Sequence, residues 1–289
     1  MDDPKYSKFN VSTTVYKTVN GQDIDLGVMT PKAAHPGPRP ILVRFHGGFL
    51  VCGHALHAEW FANWALDYAL LHSAIIVSPN YRLFPESTGL EILSDIRDFW
   101  TWIQNDLPAY LKSVGSEVTP DFSKVLAFGE SAGGYLAIMS GLTQPDLVSA
   151  VVAAYPVTYL DSDWYRVAST TKSPMGAPQV PVSVFEEHVK GTPEGKIVTG
   201  SFPPERLMLA VSILQSGGFV GLGDDDSLFP DRVLEKLSAE QKVPFLFAFH
   251  GTEDSAVPCG QTRFFVGKWE EEVREGECGG EVGEGGSWG

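Results

Sequence analysis

Five short apolar runs recur along the chain, at 41–48 (ILVRFHGG), 74–82 (AIIVSPNYR), 124–131 (KVLAFGES), 150–160 (AVVAAYPVTYL) and 244–254 (PFLFAFHGTED). They are rich in Val, Ile and Phe and too continuous for the alternation of a half-wet strand, so they read as strands buried on both faces of a sheet. Between them, residues 57–73, 88–111, 132–142 and 230–241 space their apolar positions as helices do. Strand and helix alternating at these intervals predict an α/β fold whose mostly parallel sheet is flanked by helices. Upstream, Asn20-Gly21 separates two alternating runs and predicts a hairpin at the edge of the sheet.

Residues 161–225 break the alternation with scattered Pro, Gly and Ser, interspersed aromatic residues and one helical stretch, VSVFEEHVKG. A structureless loop of that length inside a compact domain is improbable, so the segment is expected to form an inserted cap. The domain itself is expected over 1–267, leaving 268–289 as a tail. That tail has seven glutamates against Lys268 and Arg274, with glycine throughout its second half. Such a composition buries too little apolar surface to offset ordering, and disorder is expected beyond about Gly276.

Composition narrows the partners. A formal net charge of -15 over 289 residues gives no counterion-release grip on nucleic acid or anionic lipid. The first ten residues lack the basic and apolar regions of a signal peptide, and no window approaches a membrane-spanning apolar run, so the chain reads as cytoplasmic. Cys52, Cys259 and Cys278 have no metal-type spacing and suit a reducing compartment, with Cys52 read as a packing residue.

The chemistry concentrates in three places. FGESAGG puts Gly129, Ser131 and Gly133 between a strand and a helix, the context that turns a bare G-x-S-x-G match into a strained nucleophile turn. RFHGGFL ends a strand with Gly47 and Gly48, where backbone N–H groups can face a developing oxyanion together with the amide of Ala132. His46 beside them reads as a structural ring. HGTEDSAVP places Asp254 directly after a strand, as the acid of a triad, in preference to Glu253 and to the run Asp224 to Asp226, which reads as a solvated loop.

HGGF, NYRLFPE (80–86), GESAGG and HGTEDSAVP, in this order, resemble the hormone-sensitive-lipase-like branch of the α/β-hydrolase fold. The match covers roughly residues 25 to 267. The resemblance implies an esterase with a small-molecule ester or acyl substrate, a cap over an acyl pocket and no metal or organic cofactor. It makes Ser131 the nucleophile and Asp254 the acid, with Gly47, Gly48 and Ala132 forming the oxyanion hole. Arg82, Pro85 and Glu86 would stabilise the turn near the elbow.

One part of the pattern is missing. The seven histidines are His35, His46, His54, His57, His72, His188 and His250, and all precede Asp254. The resembling family carries its base downstream of the acid, after one more strand. Here that strand and the histidine loop are missing from the pattern, and the C-terminus reads as a truncated or misread product. His188 and His250 are the conceivable surrogate bases, although His188 reads as solvated beside Glu186 and Glu187 and His250 as a hydrogen-bonded core residue. Three functions follow: a serine hydrolase with impaired turnover, a catalytically dead ligand-binding homologue, or a non-hydrolytic enzyme using the same pocket.

Overall fold

The computed structural model describes residues 3–203, 205–238 and 241–278. Strands β1 (Phe9–Val19) and β2 (Gln22–Pro31) form the expected hairpin. Asn20 and Gly21 both adopt positive φ, 51° and 72°, as a two-residue turn matched to strand twist requires. Then come β3 (Gly37–Phe45), β4 (Ile75–Pro79), β5 (Val118–Glu130), β6 (Ala150–Ala154) and β7 (Phe245–Phe249). The sheet runs β1-β2-β4-β3-β5-β6-β7, antiparallel as far as β4 and parallel from there on.

The helices are α1 (Asn63–His72), α2 (Gly89–Asn105), α3 (Leu107–Ser113), α4 (Ala132–Thr143), α5 (Asp163–Arg166), α6 (Ser183–Gly191), α7 (Leu207–Ser216), α8 (Pro230–Leu234) and α9 (Cys259–Cys278). The single helix expected over 88–111 is two. Pro108 cannot donate to a continuing helix and instead sits in the first turn of α3. The start of α2 is fixed by a capping box, in which Thr88 and Glu91 each satisfy the other's backbone N–H. The helix expected over 57–73 is shortened to α1 after a 3-10 turn at Ala58–Trp60, and that over 230–241 to α8.

Two cores result. The larger packs one sheet face against α2, α4 and the segment 161–225, with Phe45, Phe99, Trp100, Tyr135, Tyr165 and Phe219 fully enclosed. The smaller joins Leu42, Ile76 and Phe128 of the other face to Phe61 and to Ala65, Leu66 and Ala69 of α1. The expectation of burial on both faces holds for β4, but β7 departs from it. Phe245, Phe247 and Phe249 are 70%, 53% and 45% exposed. β7 is the sheet's edge among the described residues, and α1 covers the opposite part of that face, so this row of rings has no layer over it. The helix α9 carries the chain through the start of the tail, burying Phe265 and Trp269; residues 279–289, where disorder was expected, lie outside the described residues.

Segment 161–225 contributes α5, α6 and α7, and its anchor is ionic. Glu86, on the loop that follows the cis Phe84–Pro85 bond, takes both Nη atoms of Arg206 at 2.9 and 2.7 Å and His188 Nε2 at 2.7 Å. Arg206 also donates to the carbonyls of Val51 and Phe84. Burial alone would raise the Glu86 carboxyl, but Arg206 and then His188 outweigh it and hold it below the usual carboxylate range. Glu86 therefore clamps α6 and the start of α7, while Arg82 anchors to α2 through Asp95 and Glu91.

Two outcomes follow. Asp95 is fully buried and accepts from Arg82 N, Nε and Nη2 and from Lys17 Nζ. Removing one partner of such a pair strands the other charge, so Asp95→Ala should cost about 3–5 kcal/mol, read as a fall in the urea midpoint. Glu86→Ala should accelerate limited proteolysis within 161–225 more than elsewhere. An unchanged cleavage pattern would show that the clamp does not hold that segment.

Candidate active site

β5 ends at Glu130 and α4 begins at Ala132, leaving Ser131 alone at the turn with φ 57° and ψ −118°. A non-glycine residue there costs about 1–3 kcal/mol and persists only when its surroundings fix it. They do so through the backbone: Ser131 N donates to Ala154 O at 2.9 Å, and Ser131 O accepts from Tyr135 N and Val157 N at 3.2 Å each. The glycines are steric necessities. A Cβ on Gly133 would lie 2.1 Å from Phe45 O, and one on Gly129 would lie 2.3 Å from Gly133 O.

The end of β3 meets the same turn. A Cβ on Gly47 would sit 2.8 Å from Glu130 O and 3.6 Å from Ser131 Cβ, so the loop passes directly against the elbow. Gly48 has φ 112°, and a Cβ there would lie 2.2 Å from Cys52 O. His46 is fully buried; its Nδ1 donates to Gly47 O at 2.9 Å, and its ring stacks on Tyr81 at 4.3 Å. Burial pushes its pKa down to about 3, so it is a neutral structural ring. Cys52 is likewise enclosed, and burial pushes its thiol up to about 11.

Gly47, Gly48, Ser131 and Asp254 all line one cavity of about 550 Å³. Ala132 is not in its lining. Its side chain faces a separate apolar void of about 10 Å³ with Phe49 and Tyr135, which leaves its N–H as the relevant group. Met175 and Leu207 bring the segment 161–225 to the cavity's edge. Arg44, Glu130 and Tyr155 also line it, and motif reading did not single them out. The available signal was a lone arginine inside the otherwise apolar ILVRF.

Asp254 is held by the turn that follows it. Its Oδ1 accepts from Ala256 N at 2.7 Å and Val257 N at 3.0 Å, and its Oδ2 lies 3.3 Å from His250 Nε2. His250 is thus an acid-paired imidazole, but its nitrogens are committed. Nε2 lies 3.0 Å from the carbonyl of Val257, which only accepts, so Nε2 carries the proton. Nδ1 lies 2.8 Å from Thr262 Oγ1, which also reaches Pro156 O at 3.4 Å. No lone pair of this ring is left for Ser131. His188 is tied to Glu86 instead of lying solvated beside Glu186 and Glu187. Among the described residues no imidazole hydrogen-bonds the Ser131 hydroxyl.

The rival acids stay outside the cavity. Glu253 is exposed, Asp224 pairs with Arg166, Asp225 caps Ser227, and Asp226 holds Arg232 and Lys236. The run Asp224 to Asp226 is therefore a surface ion network, tied down more than a solvated loop would be. Among the described residues no group of His, Cys, Asp and Glu has the arrangement of a metal site, and no helix is long and apolar enough to cross a membrane.

Residues 42–189 match the family model described as the alpha/beta hydrolase fold. The "Probable carboxylesterase M8" of Phoma sp. is 30% identical over 275 residues, covering 91% of this chain and 84% of that one. The "Probable carboxylesterase clz11" of Cochliobolus lunatus is 30% identical over 208 residues, covering 68% of this chain and 92% of that one. Among solved structures, a Staphylococcus aureus protein of unknown function shares the fold at a TM-score of 0.65 and 16% identity, covering 89% of this chain and 85% of that one. Together with the seven-stranded sheet and the elbow at Ser131, these likenesses mean that the chain belongs to the α/β-hydrolase fold family, as a carboxylesterase-type member of its hormone-sensitive-lipase-like branch.

Proposed function

We propose that this chain cleaves carboxylic esters or related acyl bonds at Ser131, and that turnover is limited because, among the described residues, no histidine is set against the Ser131 hydroxyl. The observation that carries the reading is the strained elbow, φ 57° and ψ −118°, opening on the cavity that Gly47, Gly48 and Asp254 also line.

In this reading Ser131 Oγ adds to the ester carbonyl carbon and the carbonyl electrons move onto oxygen. The N–H groups of Gly47, Gly48 and Ala132 stabilise that oxyanion in a site that needs no reorganisation. Collapse expels the alcohol and leaves an acyl-serine, which water then hydrolyses. The weak link is the proton that Ser131 loses on attack. With the proton on Nε2 and Thr262 at Nδ1, His250 offers it no acceptor, and water is a much poorer one. Loss of a triad base costs about a million-fold in turnover, on the order of 8 kcal/mol, whereas oxyanion hole and binding retain roughly 10³ to 10⁴ over water. The commitment of both His250 nitrogens also favours a second reading, in which the pocket binds an ester or acyl ligand without turning it over.

Hydrolysis of a short-chain p-nitrophenyl ester by the parent should therefore lie within about tenfold of its Ser131→Ala variant. A fluorophosphonate should label the parent slowly and at Ser131 alone, leaving the variant unlabelled. A parent rate about a thousand-fold above the variant's would show that a base does reach Ser131. A folded parent that takes no label at Ser131 would remove it as the nucleophile.

A further inference from the structure

Arg44 is the penultimate residue of β3, with its side chain fully buried, yet it lines the large cavity beside Ser131. Nη1 and Nη2 donate to the carbonyls of Ala55 and Trp60 at 3.2 and 2.9 Å, and the guanidinium stands 4.5 Å from the centre of the Phe61 ring. Its Nε has no partner. Glu130 lines the same cavity. Its Oε2 is 3.6 Å from Arg44 Nη2, beyond a hydrogen bond, and is itself unpartnered. Burial pushes the Glu130 carboxyl above its ordinary range, with the Arg44 charge only opposing that effect. Buried polar groups are rarely left so poorly satisfied unless something else completes them.

The walls beside this pair are aromatic: Trp60, Phe61, Trp64 and Phe249. We infer that Glu130, held by Arg44, is the hydrogen-bond acceptor of an aryl subsite, and that the cavity takes esters in which an aromatic ring of the acyl or alcohol part bears a hydroxyl group. A hydroxyl donates to the carboxylate of Glu130, whose side chain keeps surface at the cavity while Arg44 stays enclosed behind it. A ligand carboxylate would instead meet Glu59, Glu130 and Asp254 around one cavity, where like charges repel. An alkyl group would leave Glu130 without a donor. A flat ring fills the space by offset or edge contacts with the indoles and Phe249.

The inference rests on the reading of Ser131 only for the position of the scissile bond. It is tested by binding, which needs no turnover. Calorimetric titration of the Ser131→Ala chain with para-hydroxyphenyl acetate and para-methoxyphenyl acetate should show the hydroxyl compound bound roughly tenfold more tightly, the share expected of one hydrogen bond to a charged group. Glu130→Gln, which keeps an acceptor, should retain part of that preference, and Glu130→Leu should erase it. Equal affinity for the two esters on the Ser131→Ala chain overturns the inference whatever becomes of the Glu130 variants. Failure of Ser131 to act as a nucleophile would leave the binding ratio unchanged, so the two readings fail separately.

Discussion

Phe45 O lies where a side chain on Gly133 would have to go, and Gly133 O lies where one on Gly129 would have to go. This approach of two backbones, with no side chain between them, is the constraint on which the site depends. It lets β3 and β5 pair up to Phe45 and Gly129, carries Gly47 against Glu130, and leaves Ser131 no conformation except the strained one. The cost of the strained residue is met by three backbone hydrogen bonds at Ser131 and by the enclosed helix α4 behind it.

The same economy of contact governs what surrounds the elbow. Glu86 and Arg206 tie the segment 161–225 to the loop after β4, and Asp95 ties that loop to α2 through Arg82. Each carboxylate is buried and each is matched by a guanidinium held in a fork, so the geometry is set by directional bonds more than by area. Arg44 and Glu130 are the exception. They are charged, enclosed and incompletely matched, and both line the cavity.

Much of this was legible in the sequence because it was local. Asn20-Gly21 states its turn, and glycines two residues on either side of Ser131 state an elbow. What was not legible depended on distant partners. The continuous apolar run FLFAF does not reveal that β7 is the sheet's edge among the described residues, and so the exposed face of Phe245, Phe247 and Phe249 came only with the topology. Nothing in the spacing of His250 and Asp254 says that Thr262 and Val257 take up the ring nitrogens. Arg44 finds Glu130 across two strands, 86 positions away in sequence. The helix break at Pro108 was local and readable, but the apolar rhythm of 88–111 overrode it in the sequence reading.

The central claim we propose is that Ser131 is set against an oxyanion-binding loop, shares its cavity with an acid and lacks only a base. Free imidazole supplies that base without altering the chain, and the 550 Å³ cavity that Ser131 and Asp254 share has room for it. The decisive measurement is p-nitrophenyl acetate hydrolysis as a function of imidazole concentration, for the parent and for Ser131→Ala. The account predicts that imidazole accelerates the parent beyond its own background catalysis, while the variant follows the background alone. Identical responses of the two proteins, or a parent already fast without imidazole, would contradict it.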